Sequence, residues 1–235
     1  MERIILIETS TALCSVALAE NGTVVSYKES SAPKAHASLT AVFIREMLDE
    51  RGLKISDCDA VCVSKGPGSY TGLRVGVSTA KGLCFGSGKP LLAVGTLDTL
   101  VAQVSDEVLS GNITECQSPR YIIPMIDARR MEVYSAVFTA EGTQITETAP
   151  VIVDGNSFSE YLEQGPVLFI GDGAGKCADV IRHENAHFCQ CHPKASAMLN
   201  PAVEAYKEKR FEDVAYFEPF YLKEFVATVS KKKLI

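Results

Sequence analysis

The chain has 235 residues, 46% hydrophobic and 22% charged, enough for one large domain or two modest ones around a sizeable core. A formal net charge of −6 argues against a surface that attracts polyanions as a whole, so this chain is not expected to grip RNA alone. No apolar run approaches the ~20 residues that span a bilayer, so no membrane association is expected.

In chain order, residues 3–8 read as a short buried strand and 14–19 as a second. Asn21-Gly22 is a hairpin signal leading into a third strand over 23–29, so the chain opens as a three-stranded meander. Pro33 interrupts the pattern, and Ser38 is the predicted N-cap of a helix over 39–51. Its apolar positions Leu39, Val42, Phe43, Met47 and Leu48 recur at helical spacing, and Gly52 ends it. A buried strand over 60–63 opens into a glycine-rich loop over 66–72. A second helix follows over about 73–85, with Gly76, Ala80 and Gly82 as small residues that admit another helix. A strand over 91–94 and a helix over 97–108 complete a first unit.

Residues 110–119 are polar and turn-prone, a candidate linker. Strands are then predicted over 121–127, 132–139 and 144–153, a helix over 157–162, a strand over 167–170 and a glycine turn over 171–175. Helices over about 176–183 and 195–209 follow. The repeated order of strands and α/β crossovers suggests a duplicated α/β architecture. The expected lobes are 1–109 and 110–211, with about 212–235 returning to complete the first. Eight irregularly spaced cysteines, several in apolar runs, read as free thiols in a reducing cytoplasm. The one dense basic run, Lys231, Lys232 and Lys233, reads as a solvated end.

The most informative stretch is Gly66-Pro67-Gly68-Ser69-Tyr70-Thr71-Gly72-Leu73-Arg74-Val75-Gly76. Glycines between a strand and a helix permit either of two things: an anion at the helix N-terminus, or close approach of another backbone. The spacing fits neither a dinucleotide fingerprint nor a P-loop. Pro67 stands where a nucleophile elbow needs glycine, so Ser69 is not read as a nucleophile. Gly171-Asp172-Gly173-Ala174-Gly175-Lys176 is one residue short of a phosphate loop, and Cys177 replaces its hydroxyl residue. Nucleotide contact there stays open beside a simple βα turn. His183-Glu184-Asn185-Ala186-His187 matches the zinc-peptidase pattern in composition. Asn185 is a poor helix former and a strand is expected just after it, so the two imidazoles are not expected to share a face. Asp127, Arg129 and Glu132 read as a polar cluster facing a cleft or as a strand-end ion pair, and His36 as a capping or surface residue.

Several landmarks occur in one order: Glu8-Thr9-Ser10-Thr11 before Cys14–Leu18, the glycine stretch, Asp127-Ala128-Arg129-Arg130-Met131-Glu132-Val133-Tyr134, Gly171-Asp172-Gly173-Ala174 and Pro219-Phe220-Tyr221-Leu222-Lys223. Together they resemble the TsaB (YeaZ) family over the whole chain. Tyr70 replaces a usual Phe, and Glu8 stands where active members of the wider superfamily carry Asp. The resemblance implies two RNase H-like lobes of the actin/Hsp70/sugar-kinase type. It also implies a nucleotide or cleft set of Glu8, Thr9, Ser10, Gly66, Gly68, Ser69, Thr71, Gly72, Asp127, Gly171, Asp172 and Gly173. The related catalytic family, TsaD, places two metal-binding histidines where this chain has Thr96 and Leu100. Neither residue is a transition-metal ligand, so no catalytic residue and no metal site are expected.

What the resemblance implies for function is a non-catalytic subunit that binds TsaD, with TsaE, for N6-threonylcarbamoyladenosine modification of the tRNA adenosine beside the anticodon. It would meet tRNA only through the complex. The implied interface is Leu39, Val42, Phe43 and Met47 on one helix with Leu73, Gly76, Val77 and Ala80 on the next, self-pairing into a homodimer when alone. No cofactor is required on this reading, and an ATP or ADP contact at the interface is left open. The rival readings are a free-standing ATPase or kinase of the same superfamily, a metallopeptidase, and an interaction module unrelated to tRNA.

Overall fold

The computed structural model describes residues 2–109, 113 and 116–223. The Lys231–233 run, much of the expected linker and the end of the expected returning segment therefore lie outside the described residues.

Consecutive aliphatic residues make β1 (Arg3–Glu8) a strand buried on both sides. Ile5 and Ile7 enter one apolar cluster, Ile4 and Leu6 another. β2 (Cys14–Glu20) and β3 (Thr23–Ser30) complete the meander around Asn21 and Gly22, both at positive φ, 50° and 76°. β4 (Ala60–Gly66) and β5 (Leu91–Gly95) join parallel to β1, giving the order β3-β2-β1-β4-β5. α1 (Ala35–Glu50) and α2 (Tyr70–Ser87) cover one face, inserting Ile44, Met47, Val77 and Ala80.

The second sheet repeats this order. β6 (Tyr121–Asp127), β7 (Glu132–Ser135) and β9 (Ala149–Ile152) form an antiparallel meander, and β10 (Val167–Gly171) and β11 (Ala186–Gln190) add in parallel. Read from β9, the order is β9-β7-β6-β10-β11, position for position that of the first sheet. The two lobes are thus both RNase H-like. β8 (Phe138–Thr139) pairs with the start of β6. α3 (Thr96–Leu109) lays Leu97, Leu100, Val101 and Val104 on Ile122, Phe138 and Ile170 of the second sheet. On that sheet's far face lie the one-turn helices α4 (Ser159–Leu162) and α5 (Ala174–Cys177).

Several expectations need correction. The first helix begins at Ala35, after Lys34 in the left-handed region at φ 64°. Ser38 is not its cap: its hydroxyl donates back to the Lys34 and Ala35 carbonyls at 3.2 and 3.3 Å from inside the first turn. The second helix starts at Tyr70, capped by Ser69, not at Leu73. The strand expected over 132–139 is two, because Pro124 has no N–H to offer a ladder at the middle of β6; the Ser135 hydroxyl bonds the Pro124 carbonyl instead, at 2.8 Å. The strand expected over 144–153 shrinks to β9, with Gln144 making only an isolated bridge to Phe138. The helix expected over 176–183 ends at Cys177 and continues only as a turn, with the Ile181 N–H on the Cys177 carbonyl at 2.9 Å.

The last helix, α6 (Leu199–Lys207), follows a 3-10 turn at Ala195–Met198, and both pack on the first sheet, not the second lobe. Ala195, Met198, Ala202 and Ala205 approach Ile4, Leu6 and Leu92 closely because three of the four are small. Residues 211–223 then run along α2 as a strap. The Glu212 N–H meets the Leu91 carbonyl at 2.8 Å and the Phe220 N–H that of Lys65 at 2.7 Å. Lys81 donates to the Ala215 and Phe217 carbonyls at 3.1 and 2.9 Å, and Lys223 pairs with Glu132.

Candidate functional site

The glycine stretch is occupied by the protein's own backbone. A Cβ on Gly68 would lie 2.4 Å from the Ser10 carbonyl oxygen, and one on Gly72 2.1 Å from that of Thr9. A Cβ on Gly76 would meet the Thr9 hydroxyl at 2.2 Å. The Ser69 N–H donates to the Ser10 carbonyl at 2.6 Å and the Thr9 hydroxyl to the Gly72 carbonyl at 2.9 Å. Of the two uses open to these glycines, the structure has the close backbone approach: the loop clamps the turn between β1 and β2. Ser69 spends its hydroxyl as the α2 cap, accepting from the Gly72 N–H at 3.4 Å, and Thr71 is exposed on the first turn. His36 adds a further tie, donating from Nε2 to the Thr11 carbonyl at 2.8 Å.

Beneath that clamp Glu8, Thr9 and Ser10 are fully buried. Glu8 Oε1 accepts from the Ser10 N–H at 2.6 Å, while Glu8 Oε2 and the Ser10 and Thr11 hydroxyls meet no hydrogen-bond partner among the described residues. Burial pushes the Glu8 carboxyl up to about 7, only partly offset by the backbone N–H groups at Ser10 and Thr9.

The second-lobe set forms a separate, closed network. The Asp127 N–H donates to Asp172 at 2.9 Å, the Gly173 N–H to the Met125 carbonyl at 2.9 Å, and the Gly175 N–H to Gln190 Oε1 at 2.7 Å. A Cβ on Gly171 would lie 2.3 Å from the Met125 carbonyl, so this glycine too admits backbone. Lys176 is engaged within its own lobe. It pairs with Asp127 and donates to the Arg130 and Glu132 carbonyls at 2.7 and 2.6 Å, bracing the turn where Arg129 and Arg130 hold positive φ. Asp127 also accepts from the Arg129 N–H at 2.9 Å. Burial is the main cause raising the Asp172 carboxyl above the usual range.

At the start of α3, Thr96 is buried with its hydroxyl 2.9 Å from that of Ser64, and Leu100 is buried in the second-lobe core. His183 lies in a turn, where its Nδ1 accepts from the Asn185 N–H at 3.1 Å, and His187 lies on β11. The pair does not share a helix face. Among the described residues no group of three or more His, Cys, Asp or Glu converges as metal ligands would.

The helix faces divide the expected docking residues. Met47, Leu73, Gly76, Val77 and Ala80 are buried within their own lobe and cannot meet a partner directly, while Leu39 and Val42 are half-buried on the outside and Phe43 is half-buried against the first-lobe core. Sequence periodicity marks apolar positions but not which of them the chain's own sheet consumes. The outer stripe of α2 is instead Thr71, Val75, Ser78, Gly82 and Phe85, with Phe85 86% exposed. Phe85 was missed as a site residue, although an aromatic flanked by Gly82 and Gly86 off the apolar stripe is a readable signal.

Between the lobes, at the carboxyl ends of β4 and β5, two cavities of about 450 and 440 Å³ adjoin, sharing Lys65, Gly95 and Asp98 as walls. Of the predicted cleft set, Gly66 alone lines one of them.

The profile of the family described as TsaD, tRNA N6-adenosine threonylcarbamoyltransferase, matches residues 28–230. The chain is 29% identical over 235 residues to the tRNA threonylcarbamoyladenosine biosynthesis protein TsaB of Escherichia coli, covering 96% of each chain. Two solved Pseudomonas aeruginosa structures share its fold. YeaZ superposes with a TM-score of 0.76 at 26% identity, covering 94% of this chain and all of that one. A protein described as similar to peptidase YEAZ superposes with a TM-score of 0.81 at 26% identity, covering 95% and 100%.

Proposed function

The chain belongs to the family described as TsaD, tRNA N6-adenosine threonylcarbamoyltransferase, on its TsaB (YeaZ) side, and from that premise we propose that it is a docking subunit rather than a transferase. Its task on this reading is to hold TsaD, together with TsaE, for N6-threonylcarbamoyladenosine formation on tRNA in the cytoplasm. The observation that carries this is the outer face of α1 and α2: small residues, half-buried aliphatics and the exposed Phe85 that the first sheet leaves uncovered. When TsaD is absent the same face pairs two copies of this chain.

Named positions support the reading that this chain supplies no chemistry of its own. Where the transferase relatives are expected to carry histidines, this chain has Thr96 spent on Ser64 and the buried Leu100. The glycine loop that could cradle phosphate is filled by Thr9 and Ser10, and Lys176 is spent on three partners of the second lobe. The reading therefore needs no cofactor bound by this chain alone, and tRNA is contacted through the complex.

Reconstitution of the modification with and without this chain tests the proposal. Full-rate product from TsaD, TsaE and the carbamoyl-adenylate synthase alone would end it. Turnover of ATP by this chain unaided would favour the superfamily ATPase reading.

A further inference from the structure

The cleft between the lobes carries two opposite charges, Lys65 and Asp98, the latter also held by backbone N–H groups at Gly95 and Asp98. Lys65, next to last in β4, lines both adjoining cavities, and Asp98 does the same from the first turn of α3. Neither forms an ion pair among the described residues. The other cation on the walls, Arg210, is already committed, 2.6 Å from Glu208 and 3.9 Å from Glu204. The remaining charged walls are acidic: Glu141 beside the first cavity and Glu147 beside the second. Asp98 and Lys65 feel each other across the space without touching: burial raises the Asp98 carboxyl, and Lys65 is the largest influence opposing that rise.

These facts restrict the ligand. A simple anion drawn to Lys65 would meet Asp98, Glu141 and Glu147; a simple cation drawn to the acids would meet Lys65. A molecule bearing one charge of each sign a few bonds apart satisfies both sides. Apolar atoms of Val101 and Phe138 in one cavity, and of Leu97 and Phe220 in the other, offer a wall for an aliphatic group. The location, outside the carboxyl ends of parallel strands, is where open α/β sheets bind small molecules. We propose that this cleft binds a small zwitterion of the α-amino-acid class, its carboxylate on Lys65 and its ammonium toward Asp98. The site is independent of the α1–α2 docking face, so either can stand if the other falls.

The experiment is amide NMR of the full chain titrated separately with L-alanine, L-serine, L-leucine and L-phenylalanine. The methyl ester and the N-acetyl derivative of the tightest binder follow. Saturable shifts at Gly95 and Gly142 are expected for at least one amino acid, weakened about tenfold or more when either ligand charge is masked, the effect of one lost charge-assisted hydrogen bond. Lys65→Met should weaken binding as much as esterification does, and Asp98→Asn as much as acetylation. Because Asp98 also serves the α3 N-terminus, the Lys65 variant is the decisive one. Absence of saturable shifts for all four amino acids, or equal affinity for the masked ligands, or unchanged affinity in Lys65→Met, would overturn the proposal.

Discussion

Gly72 stands against Thr9 so closely that a Cβ at position 72 would sit 2.1 Å from the Thr9 carbonyl oxygen. Neither partner can yield easily, since one is in the first turn of α2 and the other is fully buried directly after β1. Gly72→Ala should therefore cost about 2–3 kcal/mol, roughly a 5–10 °C fall in Tm. Gly82→Ala, on the same helix with nothing within 4 Å, should leave Tm equal or slightly higher. Thermal unfolding of the two variants checks this; equal tolerance at both positions would mean the clamp is not as tight as described.

Glu8 links stability to pH. Its carboxyl titrates near 4.5 when exposed and is pushed to about 7 by burial. The folded state therefore holds a proton that the unfolded chain releases between these values. The stability this provides is complete below pH 4.5 and is lost as pH rises through 7, on the order of 3 kcal/mol in all. Glu8→Gln keeps the shape and removes the titration. Urea unfolding of both proteins across that window should give curves that diverge with rising pH, the wild type losing ground, and parallel curves would refute the assignment.

Lys81 fastens the strap by donating to two carbonyls, Ala215 at 3.1 Å and Phe217 at 2.9 Å. Lys81→Met keeps the aliphatic stem and removes both bonds, at a cost of about 1–3 kcal/mol. Limited proteolysis should then cut within 211–223 sooner than in the wild type. Cleavage first appearing in the second lobe would argue that the strap is held by other contacts.

Much of the fold was legible because strand signals here are local. The β1 apolar run, Asn21-Gly22 and the 121–127 strand stand where hydrophobic patterning puts them. What was not legible depended on neighbours distant in sequence. Ser38 looks like a cap, but the helix had already begun at Ala35; Pro124 splits a strand that lies eight or more residues downstream. The site was legible in kind more than in place. Glycines at 68, 72 and 76 were expected to admit a close neighbour, and sequence could not say that the neighbour is Thr9 and Ser10 rather than a ligand. Helical spacing found Met47 and the resemblance implied Leu73, Val77 and Ala80, yet their own lobe consumes them, and the helix residue left bare is Phe85.

The central claim, that the outer α1–α2 face is a docking surface, is tested most directly by the Kd between this chain and TsaD of the same organism. Phe85→Glu should weaken it about thirtyfold or more, with Tm unchanged because the side chain is 86% exposed. Ile152→Glu, on the β9 edge and 76% exposed, should leave it as in the wild type. No measurable association, or affinity lost in Ile152→Glu and kept in Phe85→Glu, would contradict the account.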